Sequence, residues 1–371
     1  LIMALSKIDV ANMVENQMPQ ANVADNVNFR NIIINGDMSI AQRATSATGL
    51  GNNDSGYHTV DRFKFVENNA PTCEFTQTQS TDVPTGQGFA KSLKMDCTTA
   101  QTSLAGDDFI YINTSAEGQN LQYLKKGTSS AESVTLSFWV KSNKTGTYIF
   151  EIIDRDNSRA ISKSYTISSA NTWEKKTITY PGDTTGALDN DNARSFELIF
   201  WMLAGANFQS GTLQTSWGSR TTTNDAVGQV NLADSTSNEW YITGVQLEAG
   251  TTASDFEFLP TQIMKNLCER YYQQSGMVIG VAPNTTQIQA YNSFNPEMRT
   301  APSHTAAGGL AFTDGYAADK GQSSFSTSAI YTNTKASFKA YTNFSGLTTA
   351  RIYFHPRNTP TTNFLYFDAE L

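Results

Sequence analysis

The 371-residue chain is predicted to be all-β, with a large antiparallel β-sandwich, a short helix and a second, smaller β-sandwich domain. Short runs of alternating apolar and polar residues are separated by Gly, Asn, Asp and Pro, which is typical of antiparallel strands joined by turns. Aromatic residues make up 11% of the chain and charged residues only 16%. Aromatic residues dispersed among Ser, Thr, Asn and Gly favour strands over helices. The length is sufficient for two domains.

The clearest strands show their two faces in the sequence. The run VTLSFWV alternates so that Val, Leu and Phe point to one face and Trp139 points to the other. Residues 196–203 are apolar on both faces, because Ile199, Trp201 and Leu203 fill the second face. We therefore expect this strand to be covered on both sides.

A short helix is predicted from Pro260 to Gln273, with Ile263, Leu267 and Tyr271 at four-residue spacing along one apolar face. This helix separates the two β units and sets the predicted domain boundaries. These are an N-terminal docking or oligomerisation segment at 1–30, the large sandwich at 31–258, the linking helix at 259–274 and the C-terminal β domain at 275–371.

The start of the chain differs in character from the rest. Leu5, Ile8, Ala11 and Val14 form an imperfect apolar face behind Ser6, which can cap a helix. So short a segment cannot bury this face by itself, so we expect it to contact another subunit or another protein. A frayed terminus is the alternative interpretation.

Composition argues against several classes of protein. The net charge is -8 and no dense run of Lys or Arg occurs, which disfavours nucleic-acid binding. No apolar run is long enough to span a membrane, and the first residues lack the pattern of a secretory signal. Cys73, Cys97 and Cys268 are too few and too widely spaced for a disulfide framework or a zinc site, so we expect buried free thiols.

Seven segments carry a resemblance to a known family. They are residues 31–37 (NIIINGD), 41–43 (AQR), 60–63 (VDRF), 134–141 (VTLSFWVK), 242–250 (ITGVQLEAG), 267–272 (LCERYY) and 294–302 (FNPEMRTAP). In this order they resemble the jelly-roll module found in many bacteriophage tail-fibre proteins, and they extend over most of the chain.

The resemblance implies a jelly roll for the large sandwich and a virion structural protein of a tailed phage. The expected role is that of a tail fibre or receptor-binding protein, located on the tail or particle surface, that mediates adhesion to a host cell-surface glycan. Because such fibres are usually threefold, we expect a homotrimer whose N-terminal segment contacts other tail proteins. A capsid decoration or a tail adaptor remains an alternative.

The resemblance does not extend to a metal. Carbohydrate-binding jelly rolls often clamp a structural calcium between segments similar to residues 35–37 and 242–245, but they carry an acid where this chain has Thr243 and Gly244. Residues 154–165 begin like a calcium loop, yet Arg159 and Tyr165 replace the required Gly and Glu. No metal and no cofactor is therefore predicted.

A tail-associated polysaccharide depolymerase is the enzymatic alternative, and it would need two opposed carboxylates. Three pairs of Asp are candidates, but each lies in a turn-like stretch where Asp is expected to form local hydrogen bonds. These pairs are Asp107/Asp108, Asp154/Asp156 and Asp189/Asp191. No catalytic residue is predicted, and we expect the protein not to be an enzyme.

Aromatic side chains are the candidates for glycan contact, because their faces pack against sugar C–H groups. Trp139 lies out of phase with its apolar neighbours, whereas Trp173 and Trp217 lie in polar surroundings. The C-terminal part is rich in Tyr, and Tyr with Ser, Asn and Gly is a composition typical of recognition surfaces. The full set of candidates is Trp139, Trp173, Trp217, Tyr291, Tyr316, Tyr331, Tyr341 and Tyr353.

Overall fold

The computed structural model describes residues 29–68, 71–275, 279–306, 311–312, 314, 320–321, 330–331, 337–343, 346–354 and 365–371. The predicted assembly residues Leu5, Ile8, Ala11 and Val14 lie outside these ranges. In the part of the chain that is described, no helix has the length and apolar character needed to cross a bilayer.

Two six-stranded antiparallel sheets form the large unit, with strands numbered in chain order. Sheet I has the order β1 (Ser46–Leu50), β3 (Glu74–Ser80), β4 (Ser92–Thr99), β12 (Glu239–Ala249), β6 (Val134–Ser142) and β9 (Glu174–Tyr180). Sheet II has the order β11 (Gly218–Ser219), β8 (Arg159–Ile167), β7 (Gly146–Asp154), β10 (Arg194–Ala204), β5 (Phe109–Glu117) and β2 (Lys64–Asn68). The expected all-β fold with a jelly-roll sandwich is confirmed.

The core lies between the inner faces of sheets I and II. Leu136, Phe138 and Val140 of β6 lie in the same buried cluster as Phe150 of β7 and Phe200 of β10. The rings of Phe138 and Phe200 meet edge to face at 5.4 Å between centroids. The predicted alternation of β6 is correct, because Trp139 is absent from this cluster and is only partly buried.

Strand β10 is covered on both sides, as its sequence predicts. On the outer side of sheet II, Ile199 and Trp201 pack with Phe208, which belongs to the helix α1 (Ala206–Gln209). The expectation that Leu203 lies on the outer face was wrong. The register of β10 with β5 shifts between Trp201 and Leu203, and this shift places Leu203 in the inner core. A bulge of this kind reverses the face of every later residue in a strand.

The linking helix is shorter than predicted, and it buries a different face. Helix α2 is Thr261–Glu269, and Tyr272–Ser275 forms strand β13 rather than a last helical turn. Met264 and Cys268 are its buried residues, whereas Ile263 is 37% exposed. Met264 and Cys268 pack in one cluster with Ile40, so the apolar face lies one position away from the predicted one.

The segment at 31–37 lies along β12 because a glycine permits the approach. The Ile32 N–H donates to the Leu247 carbonyl at 2.8 Å, and the Val245 N–H donates to the Gly36 carbonyl at 2.9 Å. A Cβ atom on Gly36 would lie 2.0 Å from the Val245 oxygen. Two segments of the family resemblance therefore form one backbone contact.

Three further sheets follow α2. The first has the order β13, β22 (Leu365–Asp368) and β16 (Ser303–Ala306). The second has the order β19 (Ile330–Tyr331), β20 (Ser337–Asn343), β15 (Gln287–Ser293), β14 (Ile279–Val281) and β21 (Ile352–Phe354). The third pairs β17 (Ala311–Phe312) with β18 (Lys320–Gly321). Ile279, Val281 and Ile352 are 51%, 46% and 60% exposed, and Val281 pairs with Ile352. We call these three residues the apolar strip.

A buried ionic network joins the large sandwich to the C-terminal strands. The Arg62 side chain is 1% exposed; it forms an ion pair with Glu370 and donates to the Ser115 carbonyl at 2.8 Å. Its guanidinium also lies 3.5 Å from the centre of the Tyr271 ring. Neighbouring carboxylate and phenol groups, led by Glu370, outweigh the effect of burial and raise the pKa of Arg62 above its ordinary value.

Other arginines of the resembling segments converge on the same junction. Arg43 forms an ion pair with Asp368 at 2.9 Å. Arg270 donates two hydrogen bonds of 2.8 Å to the Glu117 carboxylate. Burial opposes the ionisation of Glu117, but the hydrogen bonds from Arg270 and Tyr271 outweigh it and hold the pKa of Glu117 below its ordinary value. Residues of the resembling segments therefore join the two β units.

The Arg62→Met substitution tests the energetic importance of this junction. It removes the closer cationic partner of the buried Glu370 and leaves it only the 3.4 Å contact with Arg43, so we expect the free energy of unfolding to fall by about 3 kcal/mol. The measurement is urea denaturation followed by circular dichroism. Glu370→Leu added to Arg62→Met is expected to recover part of the loss.

Lys125→Ala is the matched control for Arg62→Met. Lys125 forms an ion pair with Glu132 at 2.8 Å, but the two side chains are 54% and 42% exposed. We therefore expect a loss of at most about 1 kcal/mol. Equal losses for Lys125→Ala and Arg62→Met would contradict the central role of the Arg62 pair.

Candidate functional site

Trp139 and Trp173, two of the candidate glycan contacts, lie on the outer face of sheet I. In β6, Trp139 is paired with Thr243 of β12 on one side and with Lys175 of β9 on the other. Trp173 directly precedes β9, and continuation of the same register places it opposite Lys141. Trp139 and Lys141 are successive residues on this face of β6, about 7 Å apart.

A row of side chains crosses the sheet beside Trp139. Lys141 is paired with Tyr241 of β12, and Tyr241 is paired with Lys94 of β4. The Lys141 ammonium lies 4.2 Å from the centre of the Tyr241 ring and 5.7 Å from that of Trp173. The Trp173 and Tyr241 rings are 6.1 Å apart. We call Trp139, Lys141, Trp173, Tyr241 and Lys94 the sheet I platform.

Carboxylates hold the polar groups of this platform in place. Asp82, from the loop before β4, forms an ion pair with Lys141 and accepts a 3.0 Å hydrogen bond from the Trp173 indole N–H. Burial opposes the ionisation of Asp82, but its hydrogen bonds from Lys141 and Trp173 outweigh this effect and lower its pKa. Asp82 therefore anchors the indole and the ammonium together.

Glu239 has the equivalent role at the other end of the row. It lies 2.7 Å from the Lys94 ammonium and accepts a 2.9 Å hydrogen bond from the Tyr241 hydroxyl. Burial is again outweighed by hydrogen bonds from Lys94 and Tyr241, so the pKa of Glu239 is lowered. Burial raises the pKa of Tyr241 to about 12, which keeps its hydroxyl as a donor.

This geometry suits contact with a polar ring-shaped molecule. The platform combines partly exposed indoles with hydroxyl, ammonium and carboxylate groups on an antiparallel sheet. Aromatic faces bind apolar ring surfaces, and the surrounding groups can donate and accept hydrogen bonds. The side chains are held by their neighbours, so little conformational entropy would be lost on binding.

Only part of the outer face of sheet I is open. Phe89, Phe256 and Phe258 form a cluster with ring centroids 4.9 to 5.1 Å apart. Phe89 packs on Gly244, where a Cβ atom would lie 2.5 Å from the Phe89 ring. Gly244 has a φ of +62° at the bulge of β12, so this covered half of the face depends on glycine.

Sequence reasoning did not identify Lys141, Tyr241, Lys94 or Asp82 as members of the site. Lys141 could have been found, because it is in phase with Trp139 in the run VTLSFWVK. Asp82 lies in a loop with no periodicity, and its contact with Trp173 results from the sheet order.

The third tryptophan lies elsewhere. The ring of Trp217 is stacked on Phe196 at 6.2 Å, its indole N–H donates to the Pro181 carbonyl at 2.8 Å, and its ring packs against the inner core. The Lys126 ammonium lies 5.5 Å from its ring centre. Trp217 therefore does not join Trp139 and Trp173 in one surface.

Four of the five tyrosine candidates lie in strands of the five-stranded sheet of the C-terminal part. Tyr353 is 2% exposed, and its hydroxyl accepts a 2.9 Å hydrogen bond from the Thr348 N–H, so the prediction of glycan contact was wrong for this residue. Tyr291, Tyr331 and Tyr341 belong to strands β15, β19 and β20. Tyr316 lies outside the described residues.

Three carboxylates of the acid pairs accept hydrogen bonds from backbone N–H groups. Asp108 accepts the Ala105 N–H at 2.7 Å, and Asp156 accepts the Asp189 N–H at 2.9 Å. Asp191 accepts the Ala193 N–H at 2.8 Å. Asp108 and Asp191 thus hold their own turns, whereas Asp156 joins two loops.

Asp154 forms a buried ion pair with Lys126. The Lys126 ammonium forms ion pairs with Asp154 and Asp183 and donates to the carbonyls of Thr185 and Gly186 at 3.1 and 2.8 Å. Throughout the described ranges, no group of three or more His, Cys, Asp or Glu residues could hold a metal ion. All three cysteines are free and buried, as expected.

The acid with the most perturbed ionisation lies on the opposite sheet. Glu151 of β7 is fully buried and accepts a 3.1 Å hydrogen bond from the Trp201 indole N–H. Arg220 lies 3.5 Å from Glu151 and forms an ion pair with Asp225. Burial, followed by the charge of Asp225, raises the pKa of Glu151 well above its ordinary value. Glu151 is sealed from solvent.

No protein-family model matches the sequence, and no curated protein matches it either. Similar solved structures include the enzymatically active domain of tailspike protein 4 from bacteriophage CBA120, with 14% identity over 59% of this chain and a TM-score of 0.30. The chain spans about a fifth (21%) of that tailspike chain.

Two other similar structures are carbohydrate-binding modules. One is the family 11 module of the cellulase Lic26A-Cel5E of Clostridium thermocellum, with 12% identity, a TM-score of 0.29 and coverage of 56% of this chain and 97% of the module. The other is the CBM22-1 xylan-binding domain of Xyn10C from Paenibacillus barcinonensis, with 13% identity, a TM-score of 0.25 and coverage of 56% and 94%. At these values the likeness does not transfer a ligand to this chain.

Glu151→Gln tests the ionisation of Glu151. Because the pKa of Glu151 is raised in the folded state, its contribution to stability is present at low pH and is lost as the pH rises from its unfolded value towards its folded value. We expect Glu151→Gln to gain stability relative to the unmodified protein as the pH increases from about 5 to about 8. Denaturation curves at each pH measure the difference, and parallel pH profiles would contradict the assignment.

Proposed function

We propose that the chain is a virion structural protein of a tailed phage that attaches the particle to a host cell-surface glycan, as a tail fibre or receptor-binding protein. The observation that supports this most directly is the sheet I platform, where Trp139 and Trp173 lie on one open face with Tyr241 and ordered polar groups. The seven segments that resemble tail-fibre modules support the assignment to a phage particle.

In this proposal, attachment is passive and multivalent. The chain is not an enzyme, and it assembles as a homotrimer on the tail or particle surface, with its N-terminal segment contacting other tail proteins. Several weak sites on one assembly give strong adsorption, because each later contact is intramolecular. The acid pairs of a depolymerase would have to be reachable by substrate, whereas Glu151 is sealed and the aspartates support turns.

Trp139→Ala and Trp173→Ala test glycan binding by the platform. Each change removes an aromatic contact surface, so we expect each to weaken binding by about fivefold to tenfold, and the double change to weaken it more. Binding of the full chain to immobilised bacterial surface polysaccharide by biolayer interferometry measures the effect.

Trp217→Phe is the control for these two variants. Trp217 is also a partly buried tryptophan of the large sandwich, but it packs beside Phe196, away from the platform. The Trp217→Phe variant should leave polysaccharide binding unchanged, and thermal unfolding verifies that all variants are folded. Loss of binding in Trp217→Phe alone would place the glycan site elsewhere, and release of reducing ends from polysaccharide would show a depolymerase.

Self-association is tested at the apolar strip. Exposed large apolar side chains on one sheet surface are typical of protein contacts, and Ile352 is the most exposed member of the strip. We expect light scattering to give the mass of a trimer, and Ile352→Lys to shift the protein towards smaller species. Lys265→Ala on the exposed part of α2 is the control, and a monomeric unmodified protein would contradict the trimer.

A further inference from the structure

We infer that the sheet I platform selects uncharged glycans over acidic or sulfated ones, because every ammonium in its central row is neutralised by a carboxylate of the same chain. This inference rests on the proposed glycan-binding function and specifies its ligand class. Lys141 is matched by Asp82, and Lys94 is matched by Glu239.

The pairing leaves no strong binding position for an anionic sugar. The Lys141 ammonium lies beside two aromatic rings, and its side chain is 10% exposed, so a uronate or sulfate group would have to displace Asp82 to reach it. Lys94 has two acid neighbours, Glu239 at 2.7 Å and Asp96 at 3.5 Å. An incoming anion would approach carboxylates as closely as ammonium groups.

Amino sugars are disfavoured by the same argument. Asp82 already receives hydrogen bonds from Lys141 and Trp173, and Glu239 receives them from Lys94 and Tyr241. A cationic sugar would therefore compete with an internal cation for each carboxylate. The fixed ion pairs instead present oriented donors and acceptors that match sugar hydroxyl groups.

Lys175 is an exposed cation paired with Trp139 across the sheet. It lies on β9 in register with Trp139, and β9 is the edge strand of sheet I. Exposed charges interact weakly with ligands and are screened by salt. Lys175 can thus adjust the affinity for an anionic chain but cannot provide selectivity for one.

The test uses matched pairs of polysaccharides. Purified acidic bacterial surface polysaccharides are immobilised in their native form and after carbodiimide reduction of the carboxylates, together with naturally neutral polysaccharides. Binding of the full chain is measured by biolayer interferometry. We expect the reduced and neutral forms to bind at least about fivefold more tightly, with less than a twofold change between about 0.05 and 0.5 M NaCl, because screening acts on charge contacts.

Asp82→Asn is the informative variant, since it keeps the shape of Asp82 and removes its charge. Without that carboxylate, Lys141 carries an uncompensated charge, and we expect binding of the native acidic polysaccharides to increase at least fivefold at low salt. Asp96→Asn is the matched control, because Asp96 lies 3.5 Å from Lys94, which keeps Glu239 as its closer partner, so we expect a smaller change.

The outcomes separate the inference from the proposed function. Preferential binding of native acidic forms, or a tenfold loss of affinity in high salt, overturns the selectivity for uncharged glycans and leaves glycan binding intact. Absence of binding to every immobilised polysaccharide overturns both the inference and the proposed function. No increase in acidic binding for Asp82→Asn overturns the explanation by ion pairing.

Discussion

The buried Arg62–Glu370 ion pair is the interaction on which the arrangement of the molecule depends. Arg62 enters from the large sandwich and Glu370 from the last residues of the chain, and both are almost excluded from water. An unpaired charge in this position would be strongly unfavourable, so the C-terminal strands must dock where they do. Stacking of Arg62 on Tyr271 and the contacts of Arg270 with Glu117 link α2 to the same point. The junction thereby holds the end of the chain against sheet II.

The same type of interaction has a different role on the opposite side of the sandwich. On the sheet I platform, Lys141 and Lys94 are paired with Asp82 and Glu239, whose side chains are 46% and 28% exposed. Their effect is to orient Trp173 and Tyr241 and to cancel charge. The Arg62 pair thus joins the two β units, whereas the platform pairs fix the orientation of polar groups on the outer face of sheet I.

The segments that suggested a tail-fibre family are mostly structural. Gly36 permits the contact between the first segment and β12, and Arg62, Arg270 and Tyr271 form the junction. A motif of this kind identifies an architecture because its residues occupy positions that few alternatives can fill. It says little about the ligand, since the platform residues other than Trp139 and Lys141 lie outside the resembling segments or, as with Tyr241, at their margin.

The sequence by itself determined the all-β class, the inner face of β6, the double coverage of β10 and the buried free thiols, because these follow from local alternation and composition. Only the tertiary structure decided that Trp139 and Trp173 are neighbours, that Trp217 and Tyr353 are not part of their surface, and that Leu203 turns inward. Alternation along a strand specifies a face, but which strands lie side by side, and where a bulge reverses a face, depends on pairing between residues far apart in the chain. The platform is a product of that pairing, since its members come from β4, β6, β12 and the start of β9.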